Sequence, residues 1–541
     1  MPRSTKPSFV LELPLRVDSS QNCELQARFN AAIRLYNNVL GEAKTRMELV
    51  RNSEVYQTAK KISRNHKKER SSAFSKAREA YRFTDYDLQA YANQAARGSK
   101  WIPQKIDAQV QQKLATRAFK AVERVLFGRA KDVRFKVESR FRSVEGKTNK
   151  QGIRWKDNRV VWAGLELPAI IDTENVVVQH GLSCPVKYCR LIRRELNGKR
   201  RWFVQLVLEG VPYQKPQNYV SDGLIGLDLN VSKIAFVADN HADLLPFADK
   251  VPTFGKEITR LQRKIQRSQR GLNPDNFESD FKVRKGRKTV IKKGKPKKGK
   301  QQWKKSSNYR KIASLKRELE RRKTAYAKSQ NRRVVNEILR HGKNIKTENV
   351  SVKGWQKRYG KAISAKSPGF VQSELKRKAE NAGGSFAKFS TQKTALSQTH
   401  LDGSRIKKSL SQRVHRDVMG IPEHHRDLFS AFLSRYVNQD KLVLQDAQNE
   451  YLGLEPILLE AHQRYLTRKQ VSHCVAERSL SGGFLRSKLR GVPPVVASGE
   501  PVRVGASESR KSDSPSERVS NESLIASQIA ESGEKLDEDV A

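Results

Sequence analysis

Apolar and polar residues alternate in FVLELPLRV near the amino terminus, the period-two pattern of a half-buried strand. Directly after it, Leu25, Phe29, Ile33, Tyr36 and Leu40 recur at helical spacing in ELQARFNAAIRLYNNVLGEAKTRMELVR, which predicts a long amphipathic helix. Residues 55–135 continue as polar, basic helical segments, and 150–210 switch to short strands marked by aromatics in IRWKDNRVVW, YCRLIRREL and KRRWFVQLVLEG. The first 220 residues therefore read as strands of one small β-barrel with a basic helical segment inserted at about 50–140. At strand spacing, Trp155, Trp162 and Trp202 are expected to pack in a core rather than to stack on bases.

A second pattern begins at LIGLDLNVSKIAFVADN, two apolar runs joined by a polar turn around Asn230 and Ser232, a hairpin signal. Basic helices follow, TRLQRKIQRSQR and the long stretch 308–340, separated by FKVRKGRKTVIKKGKPKKGKQQWKK. That separator holds no acidic residue and reads as a flexible loop that touches phosphate, with Lys292, Lys293, Lys297 and Lys298 as the expected nucleic-acid contacts. NIKTENVSV reads as a strand, PGFVQSELKRKAENAGG as a helix closed by Gly383 and Gly384, and SFAKFS as another strand. Residues 391–423 form an irregular insert, RDLFSAFLSRYV an amphipathic helix, and 441–490 a helical extension. Such alternation of strands and helices is that of an α/β sheet. Beyond about residue 490 the low-complexity, slightly acidic tail is expected to be disordered.

Charge changes the picture more than length does. Against 56 Asp and Glu stand 107 Lys and Arg, a formal +51 over 541 residues. A fold with that imbalance repels itself and is expected to hold a polyanion along its surface. Acidic lipid would need a basic amphipathic helix or an apolar anchor; the basic residues are instead spread along the chain, and no run of about 18 apolar residues spans a bilayer. Charge alone leaves a ribosomal or histone-like binder open. Four irregularly spaced cysteines make no disulfide framework, and the amino terminus lacks the apolar core of a signal peptide, so a cytoplasmic protein is expected. Cys184 and Cys189 read as packed thiols.

Within so basic a chain, three acids draw notice. Asp228 stands in the middle of an apolar strand, where a buried carboxylate costs several kcal/mol unless paired or bound to metal. Glu348 ends the strand NIKTE, and Asp427 opens the helix RDLFSAFLSRY, where it also suits the helix dipole. Singly, these have ordinary explanations as a turn residue, an exposed strand end and a helix cap. Together, in the order strand, later strand, final helix, they form an arrangement that an RNase H-like nuclease uses to hold two divalent ions about 3.5–4 Å apart, which neutralise the attacking and leaving oxygens of a phosphodiester.

IGLDLNVSKIAFV resembles the first RuvC motif of TnpB proteins and miniature type V CRISPR effectors. IKTENVSVKGW resembles the second, and HRDLFSAFL the third. SPGFVQSELKRKAENAGG with FSTQKTALSQT is similar to the stretch leading into that family's zinc ribbon, and the amino-terminal segments to its opening, so the likeness spans roughly residues 8–437. It implies an RNase H-like (RuvC) nuclease domain at 221–390 and 424–440, and a wedge-type β-barrel at 1–220 carrying a helical recognition insertion. It also implies guide RNA and target DNA as partners, a prokaryotic cytoplasm, and two Mg²⁺ held by Asp228, Glu348 and Asp427. Lys233 and Arg426, beside the motifs, are candidate phosphate contacts. One departure stands out: the insert 391–423 lacks the family's paired cysteines. Although His400, Asp402, His415 and Asp417 could substitute, a metal-free loop is expected rather than zinc, because thiolates supply much of such a site's affinity. That loss leaves a guide-directed binder with weak or no cleavage as the alternative.

Overall fold

The computed structural model describes residues 7–249, 251–286, 288–299, 301–409 and 411–488, with side chains to residue 470 except at 252, 253, 285 and 361. The tail expected to be disordered lies outside these residues. Two compact units divide the described chain, one through Tyr213 and the other from Gln214.

In the first unit, β1 (Ser8–Pro14) leads into α1 (Ser19–Asn52), which starts with a reciprocal cap between Asp18 and Gln21. Four short helices, α2 (Glu54–Lys61), α3 (Lys67–Ala80), α4 (Asp85–Gly98) and α5 (Ile102–Lys105), precede α6 (Ala108–Leu126). Then come β2 (Ser143–Glu145), β3 (Arg154–Lys156), β4 (Arg159–Trp162), β5 (Leu165–Pro168), α7 (Val176–Ser183), β6 (Val186–Leu196) and β7 (Lys199–Glu209). The strands form two open antiparallel sheets, β1-β7-β6-β2 and β3-β4-β5. The expected barrel is therefore corrected: among the described residues no sheet closes. A three-residue β2 at one edge and β1 at the other leave no ladder to join them. Trp162 and Trp202 are buried and Trp155 packs against the same core. Asp107 ties helix to sheet: it accepts from the amides of Gln109 and Val110 at the start of α6 and from Trp162 Nε1 at 2.9 Å.

The second unit is built on a five-stranded sheet. β8 (Leu224–Leu229), β9 (Lys233–Val237) and β10 (Ala242–Pro246) run as an antiparallel meander, one strand more than the sequence suggests. α8 (Pro252–Leu272) and α9 (Ser307–Leu339) follow, with β11 (Phe281–Lys285) and β12 (Lys288–Lys292) between them. The basic separator is thus a paired hairpin over these strands, not a flexible loop. Its Val283–Val290 and Phe281–Lys292 cross-strand pairs supply β propensity that the charge had masked.

Next, β13 (Asn344–Glu348) joins β8 in parallel, α10 (Val352–Lys366) and α11 (Pro368–Asn381) cross over, and β14 (Phe386–Phe389) joins β13 in parallel. Gly383, at φ 75°, closes the last of these helices in the left-handed conformation that glycine tolerates. The sheet order is β10-β9-β8-β13-β14. α12 (Thr391–Thr394), β15 (Val414–His415) and β16 (His424–His425) lead into α13 (Arg426–Ser434). A small β17 (Val437–Asn438) and β18 (Lys441–Leu442) hairpin precedes α14 (Leu444–Lys488).

Both sheet faces are covered. Ile225, Leu227, Leu229, Ile234 and Phe236 point to α9 and α11, while Ala235 and Val237 point to α13 and α14. The strict alternation in β8 therefore sends Gly226 and Asp228 to the α13 face. No helix among the described residues is long and apolar enough to cross a membrane.

Candidate active site

Gly226 makes the site possible. A Cβ at that position would overlap the carbonyl oxygen of Ala431 and the Ser434 hydroxyl, so only glycine lets α13 lie directly on β8. The contact brings the start of α13 over the carboxyl end of β8. There Asp228 stands one residue before the strand's end, opposite Ala235. Glu348 is the last residue of β13, the parallel neighbour on the other side of β8. Because β13 alternates too, Lys346 and Glu348 share the α13 face, and Lys346 Nζ donates to Arg435 O at 2.9 Å. Asp427 arrives from above in the first turn of α13, 1% exposed.

The charges of the other two acids act on Asp228. Burial first, then the charges of Asp427 and Glu348, push Asp228 well above the usual carboxylate range, against weaker pulls from Arg426 and Lys233. Burial pushes Glu348 up to about 7, opposed by a hydrogen bond with the backbone of Leu396 in the insert. The carboxylates do not cluster to within 4.8 Å; among the described residues that tightness belongs to His400, His415 and Asp417.

Asp427 has a cation beside it. Lys233 Nζ, at the start of β9, lies 3.3 Å from Asp427 Oδ2, and Arg426 Nε lies 3.7 Å from Oδ1. His425 caps α13: its Nδ1 accepts from the Asp427 amide at 3.1 Å, while its Nε2 lies 3.0 Å from Lys233 Nζ. Tyr465 of α14 places its ring 4.7 Å from the same ammonium. Asp427 Oδ2 is buried, and its contact with Lys233 is longer than the usual charge-assisted hydrogen bond. A buried carboxylate oxygen held only by a long contact to an ammonium, beside two acids of raised pKa, fits a hard divalent cation, which takes oxygen ligands and favours their ionised form.

The insert is held by a different group. Asp417 Oδ2 accepts from the Leu401 amide at 2.9 Å and lies 2.8 Å from His415 Nε2, while Oδ1 accepts from the Met419 amide at 3.0 Å. These donors hold the Asp417 carboxyl down to about 2. Lys408 Nζ faces His415 Nδ1, and an ammonium has no lone pair, so Nδ1 accepts and Nε2 carries the proton given to Asp417. His400 Nδ1 likewise accepts from the Val418 amide. Both nitrogens facing Asp417 are thus engaged, and the carboxylate itself joins the strands of the insert; Asp402 caps a turn through the Ser404 amide.

The other expected contacts fall in two places. Lys292 lies on β12, Lys297 and Lys298 follow it, all exposed, and Lys293 pairs with Asp280 at 2.7 Å. Arg426 is buried, its Nη1 donating to Ser409 O at 3.0 Å. Sequence reasoning gave no role to His425, although it adjoins the third motif, or to Tyr465, which lies on α14 beyond the resemblance and carries no local signal. Cys189 is buried, its thiol pushed up to about 12, and Cys184 is half-buried.

No family profile and no curated protein matches the chain. Among solved structures, it is similar to a chain of the "Cryo-EM structure of the Cas12f1-sgRNA-target DNA complex", with TM-score 0.39 and 11% identity over 80% of this chain and 98% of that one. It is also similar to a chain of the "Cryo-EM structure of CRISPR-Cas12f Ternary Complex", with TM-score 0.28 and 10% identity over 78% and 83%.

Proposed function

We propose that the chain is a guide-RNA-directed DNA endonuclease with an RNase H-like (RuvC) nuclease domain, in which Asp228, Glu348 and Asp427 hold divalent metal. One observation carries this reading: three carboxylates far apart in sequence meet on one sheet face, so that two of them raise the pKa of the third. Nothing in folding calls for that, since burying like charges together is costly. The acids come from the first strand, a parallel neighbour and a late helix of a mixed sheet, an order that supports the RNase H-like reading.

When bound, two Mg²⁺ would activate a water and stabilise the leaving 3′ oxygen. The chain's own residues do the positioning. Gly226 seats α13, His425 caps it and fixes the Asp427 backbone, and the Leu396 amide orients Glu348. Guide RNA and target DNA as partners are supported by the +51 charge and by the exposed basic hairpin. In this reading base pairing reads the target sequence, and the protein grips the heteroduplex backbone.

A second reading, guide-directed binding with weak or no cleavage, draws on the ion pair between Lys233 and Asp427, which places a protein cation in the cluster. Both are tested by purifying the protein with co-expressed RNA and offering a plasmid library with the target beside randomised flanks. Mg²⁺-dependent cutting abolished by Asp228→Ala supports the endonuclease. Protection without cutting supports the binder, and RNA binding with no target preference overturns both.

A further inference from the structure

The Lys233 side chain, expected from sequence to face phosphate, turns inward. It is 18% exposed, and the Asp427 side chain it pairs with is 2% exposed. Around its ammonium stand Asp228 from β8, Asp427 from α13, His425 from β16, Tyr465 from α14, and Arg413 of the insert, while Arg426 lies on the other oxygen of Asp427. Two features make the placement unusual. The contact with Asp427 Oδ2, at 3.3 Å, is longer than the usual charge-assisted hydrogen bond. His425 also offers it no acceptor, because Nδ1 takes the Asp427 amide and Nε2, carrying the ring proton, has no free lone pair. Lys233 is thus held by charge and by the Tyr465 ring rather than by a saturated hydrogen-bond set. A flexible four-carbon stem lets such an ammonium leave without moving the backbone.

We propose that Lys233 is a tethered counter-ion for the acid cluster, occupying Asp427 in the unloaded protein, and that a divalent cation binds by displacing it. This deepens the metal-binding reading of the three acids and rests on it. An ammonium offers one charge at 3.3 Å, whereas a divalent ion contacts the same oxygen directly and with twice the charge. The exchange keeps the cluster from standing uncompensated when no metal is present. Its consequence is that the wild-type protein binds metal more weakly than its carboxylates alone would.

Mn²⁺ titration of the full chain without nucleic acid, followed by electron paramagnetic resonance, tests this. Lys233→Met, which keeps the stem and removes the charge, is expected to bind Mn²⁺ at least fivefold more tightly than wild type. Lys233→Arg is expected to bind no more tightly. Adding Asp427→Asn to Lys233→Met should abolish the gain. Equal or weaker binding by Lys233→Met, with unfolding like that of wild type, would overturn the proposal. Should that variant fail to fold, Lys233→Gln gives the same reading with a polar replacement. If neither wild type nor any Lys233 variant takes up Mn²⁺, the metal reading of the acids falls, and the displacement with it. Binding by both without tightening removes the displacement alone.

Discussion

Gly226 of β8 and Ala431 of α13 are in such close contact that the strand has no room for a single added carbon. This fixes the depth at which α13 lies on the sheet, and hence where Asp427 stands relative to Asp228. Gly226→Ala is expected to cost about 1–3 kcal/mol, the range for overpacking a tight core. It should also weaken Mn²⁺ binding, because the helix must lift. Urea unfolding and metal titration check both; wild-type values in the two measurements would show that the contact does not set the site.

Metal affinity should depend on pH. Glu348 is held at about 7, and Asp228 is raised in the same direction. A proton competes with metal for each, so affinity is expected to rise from pH 6 to pH 8. Below 7 it should fall by up to about tenfold per pH unit for each proton displaced. A flat profile would contradict the shift at Glu348.

Acid stability carries a separate signature. His424 is pushed down to about 4 and His425 to about 3, chiefly by burial. Their folded values lie below the unfolded imidazole value of about 6.5. The stability they contribute is therefore complete above 6.5 and is lost as pH falls toward about 4 for His424 and about 3 for His425. Each accounts for at most about 1.4 kcal/mol per pH unit in that window. Urea midpoints at pH 7.5, 6 and 5 measure it, and equal midpoints would contradict the neutral, buried assignment.

Asp417 is expected to do for the insert what a structural metal would. Asp417→Ala leaves two backbone amides and His415 without their acceptor and should cost about 3 kcal/mol or more. A strong zinc chelator is expected to leave the unfolding temperature of wild type unchanged. A drop of several degrees would instead reveal a bound metal.

Much of this was legible in the sequence, for definable reasons. β8, β9, β13 and α13 are short, apolar and periodic, so the elements that carry the three acids stood out. The hairpin β11/β12 did not, because Lys and Arg on both strands hide the Val283–Val290 alternation. The expected barrel failed for another reason: strand signals give no shear or closure, and β2 is too short to seal an edge. Of the candidate site, the sequence offered the three acids that the fold brings to one sheet face, but not their setting. Lys233 could not be seen to turn inward, since the groups around its ammonium, Asp427, His425 and the Tyr465 ring, lie about two hundred residues away in sequence. The close seat of α13 lay hidden in a glycine that pattern reading passes over.

Replacing Lys292, Lys293, Lys297 and Lys298 together with Gln should weaken RNA binding at low salt and flatten its salt dependence. The slope of log affinity against log salt should fall by up to about three units, at roughly 0.7 per phosphate contact on single strands. An unchanged slope would mean that the hairpin stays in solvent.

The account turns on metal between Asp228, Glu348 and Asp427, and anomalous scattering from crystals of the protein soaked in Mn²⁺ reads that directly. Two peaks about 3.5–4 Å apart, each touching at least one of these carboxylates, are the predicted result. Peaks elsewhere with none at these acids would contradict it.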